Sequence, residues 1–287
     1  MTTVLYDVPG PRTRQRHRLY GLLSTVAILA LIGWIIYLLF TTGQFTAAKW
    51  TPFTYKGIQE LLLRGLGNTL KAFALAAVLS LALGGVLATG RLSEHRIVRW
   101  VCTLLVEFFR AMPVLVMIFF IYVALKAEPL IALVAGLTLY NGSVLAEVFR
   151  TGVHSVDRGQ REAAYALGMH KTQVMTHVLV PQAVRAMLPA IISQLVVALK
   201  DTSLGYLITY EEFLHAGKLI ASNLDYDLPF IPVVMIISPI YIGMCMLLSW
   251  LANWVSRRQR RNPKVEAVEV AAPEPGTLLP GSHQPPG

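Results

Sequence analysis

Charge is scarce in this chain of 287 residues. Asp, Glu, Lys and Arg make up 14% of it and hydrophobic residues 55%, whereas an ordinary soluble domain carries about a quarter charged residues. That shortfall excludes an ordinary soluble domain and puts the chain in a membrane. Cysteine is nearly absent: Cys102 and Cys245 are the only two, and they lie in different apolar runs. Neither a disulfide framework nor a Cys/His metal spacing follows from them, and buried free thiols are the simpler reading. The seven His are scattered; His170 and His177 share a segment, but no third ligand accompanies them. No metal role is assigned. Also missing is any G-x-x-x-x-G-K-[ST] loop, because the AGKL around Lys218 lacks the first Gly and the closing Ser or Thr, so the chain cannot cradle nucleotide phosphates by that means. With no paired catalytic carboxylates and no nucleophile elbow, an integral membrane enzyme is not supported.

What is present is apolar length. The runs are Leu19–Phe40, about Gly65–Thr89, Val101–Leu125, Pro129–Ala146, about Ala186–Leu199 and about Leu228–Val255. Most meet the ~20 residues a helix needs to cross the hydrocarbon, and the fifth does so only if it starts near Val178. Six spans and an all-α integral membrane fold are predicted. The first run is longer than a signal-peptide core and no convincing cleavage site follows it, so it is expected to stay as an extra N-terminal helix, 19–40.

The net charge of +9 could suggest nucleic acid, but its distribution argues against that. With the N-terminus inside, 17 of the 25 Lys and Arg residues fall in inner segments: Arg12 to Arg18, Arg91 to Arg99, Arg150 to Arg185, and Arg257 to Lys264. Outer segments hold six, and the last outer loop is acidic through Asp201, Glu211, Glu212, Asp225 and Asp227. This asymmetry predicts a multi-pass protein with both termini cytoplasmic. Residues 1–18 form a basic lead, 41–63 an outer loop, and 64–258 the core. The Pro-rich stretch 259–287 cannot build a core and is expected to be a disordered cytoplasmic tail.

One inner segment is unlike a simple connector. In Gln160–Gln182, "QREAAYALGMHKTQVMTHVLVPQ", Asp157 can cap a helix whose first turn is expected to carry Glu162 at the favourable end of the helix dipole. Ala163, Ala164, Ala166 and Leu167 keep that helix slim, and Gly168 supplies its break. A second short helix over Thr172–Val180 is expected to end at Pro181. Small side chains allow close approach of another body, which marks a docking element within about 155–181.

The segment resembles the EAA loop of binding-protein-dependent ABC-importer permeases: Glu162-Ala163-Ala164, then Gly168, then Val178-Leu179-Val180-Pro181. Further stretches are similar to the polar amino-acid subfamily: "GNTLKAF", "EFFRAMPVLVMIFFIY" (Glu107–Tyr122), "LAEVFRTGVHSVDRGQREAA" and "LKDTSL" (Leu199–Leu204). Ala111-Met112 stands where Gly-Thr is usual. Across the whole chain, "VLYDVPGPR" included, the likeness is greatest to glutamate-uptake permease subunits. The resemblance implies a type I importer permease fold and a coupling helix seated in a groove of the ATPase. It also implies two ATPase subunits that hold ATP-Mg, a second and homologous permease chain, and an extracytoplasmic solute-binding protein. This chain would then hold no cofactor, and transport would be by alternating access.

Within the spans, Arg110 lies about ten residues from a boundary, which at ~1.5 Å per residue puts it ~15 Å deep. Glu107 is on the same face, so Arg110 either meets a substrate carboxylate or forms an internal pair. Pro113 reads as a kink nearby. Asn141 and Gln194 are more simply helix-to-helix bonds than path residues. Lys200, Asp201, Thr202 and Ser203 read as a helix cap, and the resemblance adds the outer path as a role for them. The expected substrate is glutamate, with glutamine, arginine or histidine as alternatives. A rival class, an ion-coupled secondary transporter, would need no ATPase and would usually show repeated halves or broken helices at the midplane; the coupling-loop motif is what discriminates against it.

Overall fold

The computed structural model describes residues 11–260, and among them the chain is helical with no strands. The helices are α1 (Pro11–Thr41), α2 (Ala47–Trp50), α3 (Lys56–Arg91), α4 (Arg96–Ala111), α5 (Val114–Phe119), α6 (Pro129–His154), α7 (Arg158–Ala166), α8 (Lys171–Gln173), α9 (Val180–Asp201), α10 (Phe213–Ala221) and α11 (Phe230–Arg260). Five helices are long and apolar enough to cross a membrane, and one bent pair, α4 with the helix starting at α5, makes up to a sixth. Most of the residues expected in the basic lead and the disordered tail lie outside the described residues.

At the centre is α6. It buries Leu133, Leu137, Asn141, Ser143, Leu145 and Ala146 among its neighbours. Its principal partner is α3, whose buried face is built from small residues: Gly65, Thr69, Ala72, Ala76, Ser80 and Gly84. Lipid tails are as apolar as Leu, so close backbone approach, rather than exclusion of water, holds two such helices together. The approach is tightest at Gly84, where an added Cβ would stand 2.9 Å from Leu145 Cβ and 3.0 Å from Gly142 O. The apolar window of α1 is unburied within the chain, so its surface is left to lipid or to another chain.

Two expectations are corrected. Val101–Leu125 is not a continuous span: α4 and α5 meet at 100°. Pro113 drives Met112 out of the helical region, to φ −82° and ψ 131°, and itself sits at φ −58° and ψ 128°. This is the usual effect of proline on the residue before it, and it gives a break where the sequence suggested a kink.

The other correction concerns Pro181, which does not end a helix. Helical structure runs on from Lys171 to Ile208, with Pro181 in the first turn of α9. A π-helical stretch over Val174–Leu179 precedes it. The wider turn accommodates the ring and its missing N–H, and the Gln182 side chain donates to Val178 O at 3.0 Å. The fifth span is therefore long, and the expected helical hairpin is one surface helix followed by a membrane helix.

Candidate functional site

The segment expected to dock a partner begins with α7. Asp157 caps it as expected, its carboxylate accepting from Gly159 N at 2.7 Å. Glu162 is not in the first turn, because capping at Asp157 makes Arg158 to Arg161 that turn. Gly168 closes the helix at φ +76°, where a side chain would be strained, and its N–H bonds Tyr165 O at 2.9 Å. One face of α7 is anchored by Ala164, packed with Val153, Val156, Val174, Leu179, Ala183 and Met187. The other face is open: Glu162, Ala163, Tyr165, Ala166 and Leu167 are exposed, Leu167 by 83%, and Pro181 is exposed nearby. Leu167 was expected only to keep the helix slim, but it projects as a large exposed apolar side chain just before the terminating Gly. Behind α7, Lys171 bonds Glu94 of the α3–α4 turn and holds that exposed carboxyl below its ordinary range by hydrogen bond and charge.

Arg110 does pair with Glu107, at 3.7 Å. Yet Glu107 also reaches Arg91, the last residue of α3, at 3.4 Å. Arg110 is therefore at the level of the α3 terminus, and the ~15 Å depth that an unbroken span would give does not apply. Arg91 lies 2.8 Å from Glu147 of α6, which takes bonds of 2.7 and 3.1 Å from Arg150. Glu147 thereby links α6 to α3.

Asn141 and Gln194 meet directly. Gln194 Nε2 donates to Asn141 Oδ1 at 2.7 Å, joining α9 to α6, and Asn141 Nδ2 donates to Leu137 O at 2.9 Å. Beyond them, Lys200 is exposed, Asp201 closes α9, and Ser203 enters a 3-10 turn over Thr202–Ile208. Thr202 is buried and bonds Leu199 O at 2.6 Å.

Glu212 departs most from the sequence reading. Counted there among the acidic loop residues, it is fully buried. It caps α10, accepting from Leu214 N at 2.8 Å and His215 N at 2.6 Å, and Tyr241 of α11 donates to it at 2.9 Å. Burial pushes its carboxyl up to about 7, against the pull of these bonds. Nearby, Thr69 of α3 accepts from Phe213 N at 3.0 Å, and Asn68 Nδ2 donates to Glu211 O at 2.8 Å. Burial also raises the Tyr210 phenol, whose O–H reaches Asn68 O at 3.1 Å. An acidic residue just before the apolar FLHAGKLIA run was a capping signal. Among the described residues no group of three or more His, Cys, Asp or Glu could hold a metal ion.

A broken span, a capped surface helix between two membrane helices, and close-packed small residues describe a multi-pass helical membrane protein. Residues 80–261 match the family described as "Binding-protein-dependent transport system inner membrane component", and the chain belongs to that family. It is a multi-pass permease subunit of an ABC importer, a transport component rather than an enzyme.

Among its relatives, the Glutamate transport system permease protein GluD of Corynebacterium glutamicum is 41% identical over 242 residues, covering 81% of this chain and 87% of the relative. The Glutamate/aspartate import permease protein GltK of Escherichia coli is 30% identical over 210 residues, covering 69% and 92%. A solved amino-acid ABC transporter crystallised with histidines superposes with a TM-score of 0.65 at 29% identity, covering 70% of this chain and 94% of that one.

Proposed function

We propose that this permease imports polar amino acids, with glutamate as its substrate, across the bacterial cytoplasmic membrane, both termini inside. The observation that carries the reading is the 41% identity to a permease named for glutamate transport, extending over 81% of the chain. The relative named for glutamate and aspartate supports it. A second permease chain, homologous to this one, completes the pore. Two ATPase subunits carrying ATP-Mg dock on the open face of α7, where Glu162, Ala163, Ala164 and Gly168 set the helix and Pro181 starts the next one. Small exposed side chains let a partner's groove close over α7, and Leu167 gives it apolar contact. A solute-binding protein delivers substrate at the opposite, α10 end.

ATP-driven closure of the ATPases draws the two α7 helices together and opens the far end to the binding protein; hydrolysis resets the cycle. The path we propose passes Lys200, Asp201 and Ser203, then the Asn141–Gln194 pair, then Arg110 and Glu107. A guanidinium suits a carboxylate, but every amino acid carries one, so Arg110 does not choose among substrates. Labelled glutamate uptake into cells lacking and regaining the chain tests the substrate, with aspartate, glutamine, arginine and histidine as competitors. Loss and rescue with weak competition from arginine and histidine is expected. Glutamate uptake unaffected by the loss would overturn the assignment.

A further inference from the structure

Movement of α7 must reach the membrane helices, and the charged cluster on α3, α4 and α6 offers a route. Glu147 of α6 holds Arg150 tightly, at 2.7 and 3.1 Å, and faces Arg91 of α3 at 2.8 Å. The Arg91 side chain is nine-tenths buried, and the Nη1 that faces Glu147 is ion-paired without hydrogen-bond alignment. Its Nη2 reaches Glu107 of α4, at 3.4 Å, and Glu107 reaches Arg110, at 3.7 Å. Arg110 stands one residue before α4 ends at the 100° break.

Three guanidiniums thus share two carboxylates. They cannot all be saturated at once, and one oxygen of Glu107 is shared between Arg91 at 3.4 Å and Arg110 at 3.7 Å, so a small shift would favour one pair over the other. Elements with two close arrangements are what coupling requires. Glu107 is 57% and Arg110 36% exposed at the side chain. Charges so exposed are costly against lipid, so this face meets water or another chain.

We propose that Arg91 and Glu147 are positioning residues for energy coupling. They carry displacement of α7 through α6 to the α4–α5 break by passing Glu107 between Arg91 and Arg110. Only Ser155, Val156 and Asp157 separate α6 from α7, so α7 cannot shift far without moving the end of α6 that bears Glu147. The proposal rests on α7 being the helix on which the ATPases dock. Arg91 is suited to the task because its planar fork serves two carboxylates at once, which a lysine ammonium does not do in the same geometry.

The test uses the full complex in proteoliposomes, with binding protein and a labelled mixture of glutamate, aspartate and glutamine. Wild type is compared with Arg91→Lys, Arg91→Gln, Glu147→Gln and the double variant Arg91→Gln with Glu147→Gln. Three quantities are read: co-purification of the ATPase subunits, ATP hydrolysis, and amino acid taken up per ATP. Uptake per ATP is expected to fall about tenfold in each single variant while the subunits stay bound and hydrolyse ATP, a typical size for coupling between sites. The double variant is expected to be no worse than the worse single one, as for residues acting in one network. Wild-type uptake per ATP in the single variants would overturn the proposal. So would loss of the ATPase subunits from all of them, which would make the cluster a structural brace. A Glu162→Arg control that keeps the ATPase subunits and wild-type uptake per ATP would overturn the docking reading, and this proposal with it.

Discussion

Gln194 Nε2 donates to Asn141 Oδ1 at 2.7 Å, so an amide of α9 and an amide of α6 are joined directly. Removing Gln194 takes the donor from the buried Asn141 Oδ1, although Asn141 Nδ2 keeps Leu137 O, and removing Asn141 takes the acceptor from the half-buried Gln194. An unsatisfied buried group costs about 1–3 kcal/mol, whereas removing both is nearly neutral. Asn141→Leu and Gln194→Leu should each lower the unfolding midpoint in detergent, and the double variant should recover most of the loss. Uptake by the double variant separates the roles: retained uptake makes the pair helix glue, and lost uptake in a stable protein places it on the path.

Glu212 predicts a pH effect. Its folded-state value of about 7 lies above the ordinary 4.5, so the folded chain holds the proton more tightly than the unfolded one. Its stabilising contribution is therefore complete below about 4.5 and lost as pH rises through 7. Between pH 5 and 8 the wild type should lose about 2 kcal/mol from this group. Glu212→Gln should flatten that dependence in thermal unfolding measured across the same range; an unchanged slope would remove Glu212 as its source.

At the α3–α6 crossing two adjacent glycines should behave oppositely. Gly84→Val would press a branched side chain onto Leu145 and the Gly142 backbone, whereas Gly85 has nothing within 4 Å of an added Cβ. Overpacking of this kind costs about 1–3 kcal/mol or more. Gly85→Val should express and fold like the wild type, and Gly84→Val should show reduced yield and a lower unfolding midpoint.

For α7 the expected losses lie outside the membrane. Glu162→Arg and Leu167→Asp change exposed residues, so unfolding of the isolated permease should move by no more than about 0.5 kcal/mol. ATPase co-purification should fall sharply in both. Gly168→Trp adds backbone strain of about 1–2 kcal/mol at a positive φ and should lose both binding and some stability.

The membrane class, most of the span positions and the capped helix α7 were legible because each follows from local rules: apolar length, an Asp before a helix, a Gly after it. The Arg110–Glu107 pair was legible from its spacing. The 100° break was only half visible, since proline announces a disturbance but neighbouring helices decide its size. Pro181 misled for the same reason, as the π-helical turn that absorbs it has no plain sequence signature. Glu212 was read as a loop charge because its partner Tyr241 is far off in the chain, and the link from Glu147 to Arg91 has no local signal either. Burial of a lone acid cannot be read from a local pattern.

The measurement that tests the account most directly is glutamate accumulation in proteoliposomes holding this permease, its partner chains and the binding protein, with ATP supplied to the ATPase side. Accumulation against a gradient that requires ATP, is lost with Glu162→Arg and is not reproduced by an imposed proton or sodium gradient is the predicted result. Accumulation driven by an ion gradient without ATP would contradict it.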